Sequence, residues 1–456
     1  MNQQFQSDQD SVIQKALSKE IRLKEINLQE IITQNLMRRY FIFLISGLLL
    51  TNSMLAQDPS QEKSKSVLRK EKRALPAEKG ELYIIAMPII GINPAFGFMY
   101  GAGAAASTFL GDPATTSISS AQASINYTTK KQLLFYVKST LYTENNGWIL
   151  NGDWRYLDTS LPTYGGGTGP QSAKLASNGF EYEDNLFSAP ISGAQDMSYK
   201  QIRFYETASR SIKNNMFVGF GYHLDLFSNI NDKLLDTTSV PPVLTSFYAY
   251  NKNYGFSQTN NSLSGISLNF SYDTRDNQNN AYKGQYASIS FRINQKFLGS
   301  DKNSSLLYME YRKYLDLTKN HHNMLCFWGM GNFVTSGSVP YLVLPAIGED
   351  QYNKSGRGYA QGRFRGQSLM YFETEYRRHL FSTKTNPDFF GFVLFANAIT
   401  ATNKDAGIGL FKYVNVGGGT GIRIMISKKP RTNFGIDYGW GNYGSSGIYL
   451  KLNEAF

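Results

Sequence analysis

From Glu81 onward, apolar and polar residues alternate with a period of two in one run after another. In the run 307–317, Leu307, Met309, Tyr311, Leu315 and Leu317 share one face, and Tyr308, Glu310, Arg312, Tyr314 and Asp316 share the other. In the run 133–141, Leu133, Phe135, Val137 and Leu141 oppose Leu134, Tyr136, Lys138 and Thr140. Successive side chains of a strand point to opposite faces, so each run predicts a strand with one apolar side. The predicted strands are Leu82–Ile89, Phe96–Phe109, Thr116–Tyr127, Gln132–Tyr142, Trp148–Leu157, Lys200–Ile212, Met216–Phe227, Asn261–Tyr272, Gly284–Gln295, Ser304–Leu317, Asn323–Val334, Gln367–Leu380, Phe389–Thr400, Val414–Ile426, Thr432–Trp440 and Gly444–Phe456. No convincing helix interrupts them. An even number of strands, each roughly 10 residues long, suits an antiparallel barrel that crosses a bilayer. A soluble sandwich also alternates, but its strands are usually shorter and its polar face meets bulk water. The expected fold is all-β: a transmembrane antiparallel β-barrel of about 16 strands.

Connection lengths alternate as well. Thr143–Gly147, Lys213–Asn215, Thr318–His322 and Ser427–Arg431 are short, whereas Asp158–Tyr199, Ser228–Asn260 and Gly337–Gly366 are long. Barrels of this kind carry short periplasmic turns and long external loops. The long connections are then external loops three, four and six. The sixth leads through the Gly- and Arg-rich stretch that starts at Gln351 into a strand with two unlike faces. Leu369, Tyr371, Glu373, Glu375, Arg377 and His379 point one way; Met370, Phe372, Thr374 and Tyr376 point the other. Arginines beside inward carboxylates predict that the sixth external loop folds back into the lumen.

Composition adds constraints. The 456 residues are 41% hydrophobic, too few for a helical membrane protein, while 14% are aromatic and 41 are Gly, which favours strands and tight turns. The net charge of +11 falls on no nucleic-acid-binding motif, so it points to a lumen or an anionic lipid surface, and no nucleic-acid partner is expected. The single cysteine, Cys326, excludes a disulfide framework and a cysteine metal site. His223 and Asp225, with Ser228 nearby, form the one close His/Asp pair, but no nucleophile and base are evidently oriented toward each other. His321 and His322 read as solvated turn residues, and the glycines at 165–169 lack the Lys-Ser/Thr of a phosphate loop. No catalytic, cofactor or metal residues are assigned, and an enzyme is not expected.

The start of the chain predicts export. Arg38 and Arg39 precede the apolar run 40–50, and Ala56-Gln57 is a plausible cleavage point, so 37–56 reads as a signal peptide. Residues 1–36 upstream of it read as an over-called translation, 57–80 as a disordered periplasmic tether, and 81–456 as the barrel domain.

Three segments resemble the BamA/TamA superfamily of bacterial surface antigens. The first is the turn in 271–284, SYDTRDNQNNAYKG, where Asp273, Arg275, Asp276 and Gly284 match a family motif. The second is Arg357-Gly358-Tyr359, with Arg363 and the following Glu375-Tyr376-Arg377. The third is the end of the chain, GTGIRIMIS through FGIDYGWG to Phe456, which resembles the family's closing strands and terminal aromatic barrel signal. The resemblance implies an outer-membrane barrel whose sixth loop is locked in the lumen by Arg357, with Glu373 and Glu375 as partners. A family acid is replaced by Asn397, which leaves those two glutamates as the expected pair. It implies a role in inserting or translocating proteins or lipids, with outer-membrane lipids and periplasmic or membrane proteins as partners around a monomeric barrel. The family's periplasmic POTRA domains have no counterpart in 57–80. The alternative expectation is a passive pore or a structural protein without clients.

Overall fold

The computed structural model describes residues 78–93, 97–169, 180–183, 186–189, 191, 193–351, 353–384 and 386–456. The extension, the signal peptide and all of the tether except 78–80 lie outside the described residues. The strands are β1 (Tyr83–Asn93), β2 (Gly97–Thr108), β3 (Ser119–Thr128), β4 (Leu133–Tyr142), β5 (Trp148–Thr163), β6 (Glu181–Glu183), β7 (Leu186–Phe187), β8 (Gln195–Lys213) and β9 (Met216–Asp232). They continue as β10 (Asn261–Asp273), β11 (Gly284–Asn294), β12 (Ser304–Asp316), β13 (Asn323–Gly337), β14 (Ser368–Phe381), β15 (Phe390–Ala401), β16 (Asn415–Ser427), β17 (Thr432–Gly441) and β18 (Ser446–Leu452).

Sixteen of these form one antiparallel sheet in which neighbours in sequence are neighbours in space, apart from the β6–β7 hairpin inserted between β5 and β8. Each of the sixteen predicted runs corresponds to one of its strands. The sheet curls until β1 and β18 approach each other, but they remain its two edges, with no backbone ladder between them among the described residues. At the short-turn rim Lys429, in the turn between β16 and β17, reaches across to Glu81, just before β1, with Nζ 2.9 Å from Oε2.

The alternation has the expected consequence. In β14, Tyr371, Glu373, Glu375 and Arg377 are buried, while Phe372 and Thr374 are exposed. Phe220, Ile266, Leu268, Ile289 and Leu394 likewise stay exposed on the outer face. That leaves an apolar outside and a charged inside, the pattern of a wall between lipid and a polar lumen.

Several boundaries differ from expectation. β1 runs for 11 residues and is not short. Pro88 is tolerated within it because an edge strand has one side on which no ladder donor is required. β5 and β8 extend past the predicted ends and pair as far as Thr163 with Gln195. Pro162 is tolerated in the extension because β4 pairs with β5 only as far as Asp158, so beyond it β5 has one free side. External loop four contains a helix that was not predicted, α1 (Ser246–Asn253), capped by Thr245, whose hydroxyl accepts from the Tyr248 amide. α1 packs through Phe247 and Tyr250 into an apolar cluster with Tyr341, Leu342 and Leu344 of external loop six.

Candidate functional site

The connection from β13 to β14 (residues 338–367) carries the R-G-Y motif, and its contacts define the site. Arg357 is buried. Its Nη2 lies 2.5 Å from Glu373 Oε1 and 2.6 Å from Glu375 Oε2, and its Nη1 lies 2.7 Å from Asp437 Oδ2. The guanidinium also stacks on Phe395, 3.6 Å from the ring centroid. Glu373 and Glu375 are two residues apart on β14, so both project inward. Asp437 arrives from β17, and no signal local to the motif could have named it. Asn397 donates through Nδ2 to the Arg357 carbonyl at 2.9 Å, so it holds the loop backbone where a carboxylate would have met the guanidinium.

The pairing extends into a balanced network. Arg377 bonds Glu375 at 2.6 Å, Arg423 bonds Asp437 at 2.5 Å and Glu454 at 2.7 Å, and Lys451 reaches Asp437 at 2.5 Å. Each guanidinium or ammonium faces at least one carboxylate, which is the condition for burying charge without prohibitive desolvation. Gly358 has φ +99°, and a Cβ there would meet Trp440 O at 2.6 Å. The loop backbone therefore lies directly on β17, a close approach that only glycine allows. Tyr359 fills the space above Gly441, where a Cβ would lie 2.3 Å from its ring, and its hydroxyl accepts from the Asn442 amide at 2.9 Å. Arg363 does not join the carboxylates. It stacks on Tyr164 at 4.0 Å and on Tyr443 at 5.3 Å, tying the sixth loop to the third and eighth.

The same loop is held a second time, on the opposite wall. Arg155 on β5 donates to the Asp350 carbonyl at 3.0 Å, and Arg203 on β8 donates to the Glu349 carbonyl at 3.4 Å. The Glu349 carboxylate lies 3.7 Å from Arg155 and 3.8 Å from Arg203. Lys138 on β4 donates to Asn353. Arg155 is steadied by Asp153 at 2.6 Å, and Arg203 by Asp225 at 2.8 Å. Asp225, half of the close His/Asp pair, serves this wall and also receives Arg292 at 3.1 Å, while His223 Nε2 turns to Ser267 Oγ at 2.7 Å. The loop therefore bridges the interior between two separate charge networks.

The turn motif forms a third unit at the short-turn rim. Arg275 pairs with Asp273 through both guanidinium arms, at 2.9 and 2.8 Å, and Tyr142 donates to the same carboxylate at 3.0 Å. Asp276 takes the Tyr282 amide at 2.9 Å and Arg431 at 2.6 Å, so the two acids have separate partners. Gly284 has φ +98°, and a Cβ there would sit 2.1 Å from Thr274 O.

Phe456 departs from the expected closing strand. β18 ends at Leu452, and Asn453 with φ +63° turns the chain inward. Continued alternation from Ile448 and Leu450 would have placed Phe456 on the lipid face; the left-handed residue reverses this. Phe456 is buried against Trp328, with ring centroids 5.4 Å apart, and its main-chain oxygen accepts from Arg377 at 3.0 Å. The segment after β18 thus packs beneath the loop.

The profile of the Omp85 superfamily domain matches residues 114–456, three quarters of the chain. The chain belongs to the Omp85 superfamily. Among solved structures, this Omp85 chain is similar to BamA from Haemophilus ducreyi lacking POTRA domains 1–3, at 15% identity and a TM-score of 0.48, over 88% of this chain and 79% of that one. It is also similar to CdiB from Acinetobacter baumannii, at 11% identity and a TM-score of 0.47, over 82% of this chain and 59% of that one. No curated protein matches it. Membership makes it a bacterial outer-membrane β-barrel. No POTRA domain is present among the described residues.

Proposed function

We propose that this Omp85 barrel inserts or translocates polypeptides or lipids at the outer membrane, with its short turns toward the periplasm and with partner proteins delivering the client. The observation that carries this reading is the edge pair: β1 and β18 lie near each other with no ladder between them among the described residues. Unpaired strand edges offer backbone donors and acceptors to an incoming chain. In this reading the network around Arg357 keeps the sixth loop seated while the edges part, and the Glu81–Lys429 ion pair closes the rim between cycles.

The test is a lock at that rim. Glu81→Cys and Lys429→Cys are introduced together with Cys326→Ser and joined by a short bifunctional thiol reagent. Insertion of a reporter barrel into vesicles is measured before and after reduction of the link. The expected result is loss of activity when locked and recovery on release, with no effect of a control link across the β17–β18 hairpin. Full activity in the locked protein would remove the seam from the mechanism. The passive-pore reading makes a different forecast, steady conductance of the wild type in planar bilayers. The sixth loop makes contacts to two walls of the barrel, so we expect none.

A further inference from the structure

The outer wall carries one feature that the interior chemistry does not use. Glu206 lies on β8 between Phe204 and Ala208 and shares their outward face, with Ile202 and Phe204 exposed beside it. Seven residues separate it from the end of β8 at Lys213. At about 3.3 Å per residue and about 40° of tilt, this places it ~18 Å from the short-turn end, within an apolar band ~25 Å tall. Other outward charges of the described strands, such as Arg210, Lys313 and Arg378, sit nearer their strand ends. A carboxylate in hydrocarbon is costly and is retained where it has a partner.

Within the protein, that partner is incomplete. Trp154 Nε1 donates to Glu206 Oε1 at 2.7 Å, while Oε2 has no hydrogen-bond partner among the described residues. The carboxylate sits in an open groove of about 300 Å³ bordered by Leu150, Ala208, Phe220 and Tyr222. Gly152 on β5 and Ala208 keep the floor low, and a Cβ on Gly152 would lie 3.1 Å from Glu206 Oε1. Phe220, 72% exposed, borders the groove, and Trp154, 44% exposed, lies beside the carboxylate that it bonds. Aromatic faces attract a cation and an apolar floor accepts its stem, so the groove suits a guanidinium or ammonium carried on a side chain.

We propose that this groove is a docking site for a membrane-spanning segment of another protein that presents an arginine or lysine at the depth of Glu206. A second copy of the chain does not fit. Two barrels inserted the same way around are related by an axis normal to the bilayer, which brings equal depths together. Glu206 would then meet Glu206, and Arg210 would meet Arg210.

The test uses the full chain in phosphatidylcholine vesicles and a 20-residue oligo-leucine span with one central arginine, labelled as an acceptor for tryptophan fluorescence. Its all-leucine counterpart is the reference. The arginine peptide should bind the wild type about tenfold more tightly than the reference, a preference that Glu206→Leu abolishes and Glu206→Gln reduces. Glu206→Leu places an apolar residue in lipid, and its gel mobility before and after heating checks that it folds. Equal binding of both peptides to the wild type, or an unchanged preference in Glu206→Leu, overturns the proposal. So does a wild-type dimer that Glu206→Leu dissolves, because the occupant would then be a second copy.

Discussion

Replacing Arg357 with methionine removes the centre of the loop network, and the structure indicates where the cost falls. Glu375 retains Arg377 at 2.6 Å, and Asp437 retains Arg423 and Lys451, each at 2.5 Å. Glu373 keeps only the Tyr371 hydroxyl, at 2.5 Å, and its side chain is fully buried. Arg357→Met therefore strands one carboxylate without a cation, which costs about 3–5 kcal/mol, a shift of about 150- to 5,000-fold in the unfolding equilibrium. Glu373→Gln alone leaves Arg357 with two acids and costs about 1.5–3 kcal/mol, the range for a hydrogen bond to a charged group. In the double variant no carboxylate is stranded, so its cost should fall short of the sum by at least ~1 kcal/mol. The assay is urea unfolding of the barrel in vesicles, followed by the mobility difference between folded and unfolded forms, with midpoints compared at constant slope. Additivity within ~0.5 kcal/mol, or an unchanged midpoint for Arg357→Met, would show that the network does not hold the loop.

Three further outcomes are expected. Gly284→Ala sets a Cβ 2.1 Å from Thr274 O at φ +98°, and should lower stability by about 1–3 kcal/mol, read as a lower midpoint in the same urea assay. An unchanged midpoint would mean that the turn can relax. Lys354, in the sixth loop, is pulled down to about 7 by burial and by repulsion from Lys451 and Arg312, with Glu454 and Asp350 opposing. An unfolded lysine holds its proton to about 10.4, so between these values the unfolded chain binds more protons and stability rises with pH. Lys354→Met should flatten that rise, read from urea midpoints between pH 7 and 10. The two anchors of the loop are independent, so Arg155→Ala with Arg203→Ala, or Arg357→Ala alone, should leave planar bilayers silent. The triple variant should conduct steadily; silence from all three would place the seal elsewhere.

The sheet was legible because period-two alternation is local, and a single run such as 307–317 reveals its own two faces. The pairing of Arg357 with Glu373 and Glu375 was legible for a similar reason: the acids share one strand face and lie less than twenty positions from the arginine. Asp437 was not, because it is 80 residues from Arg357 and joins it only once the sheet has curled. The second anchor was hidden more deeply. Arg155 and Arg203 sit on strands whose alternation shows that they face inward, but not that a loop 195 and 146 residues further on, respectively, will meet them. Phe456 was misplaced because one left-handed residue, Asn453, interrupts an alternation that otherwise extrapolates well. α1 escaped notice because its eight residues mix aromatic and polar positions without an extended helical period.

The inward turn after β18 bears on what holds the interior together. Trp328, Arg377 and Arg423 belong to β13, β14 and β16, yet each finds a partner in Glu454 or Phe456. The ladders of the sheet do not depend on these contacts, which are made to residues after β18. Truncation at Leu452 would leave the sixteen strands of the sheet and remove the partners of Trp328, Arg377 and Arg423 in the tail. The tail thus ties together strands that lie apart around the wall, and its contacts belong to the interior, not to the sheet.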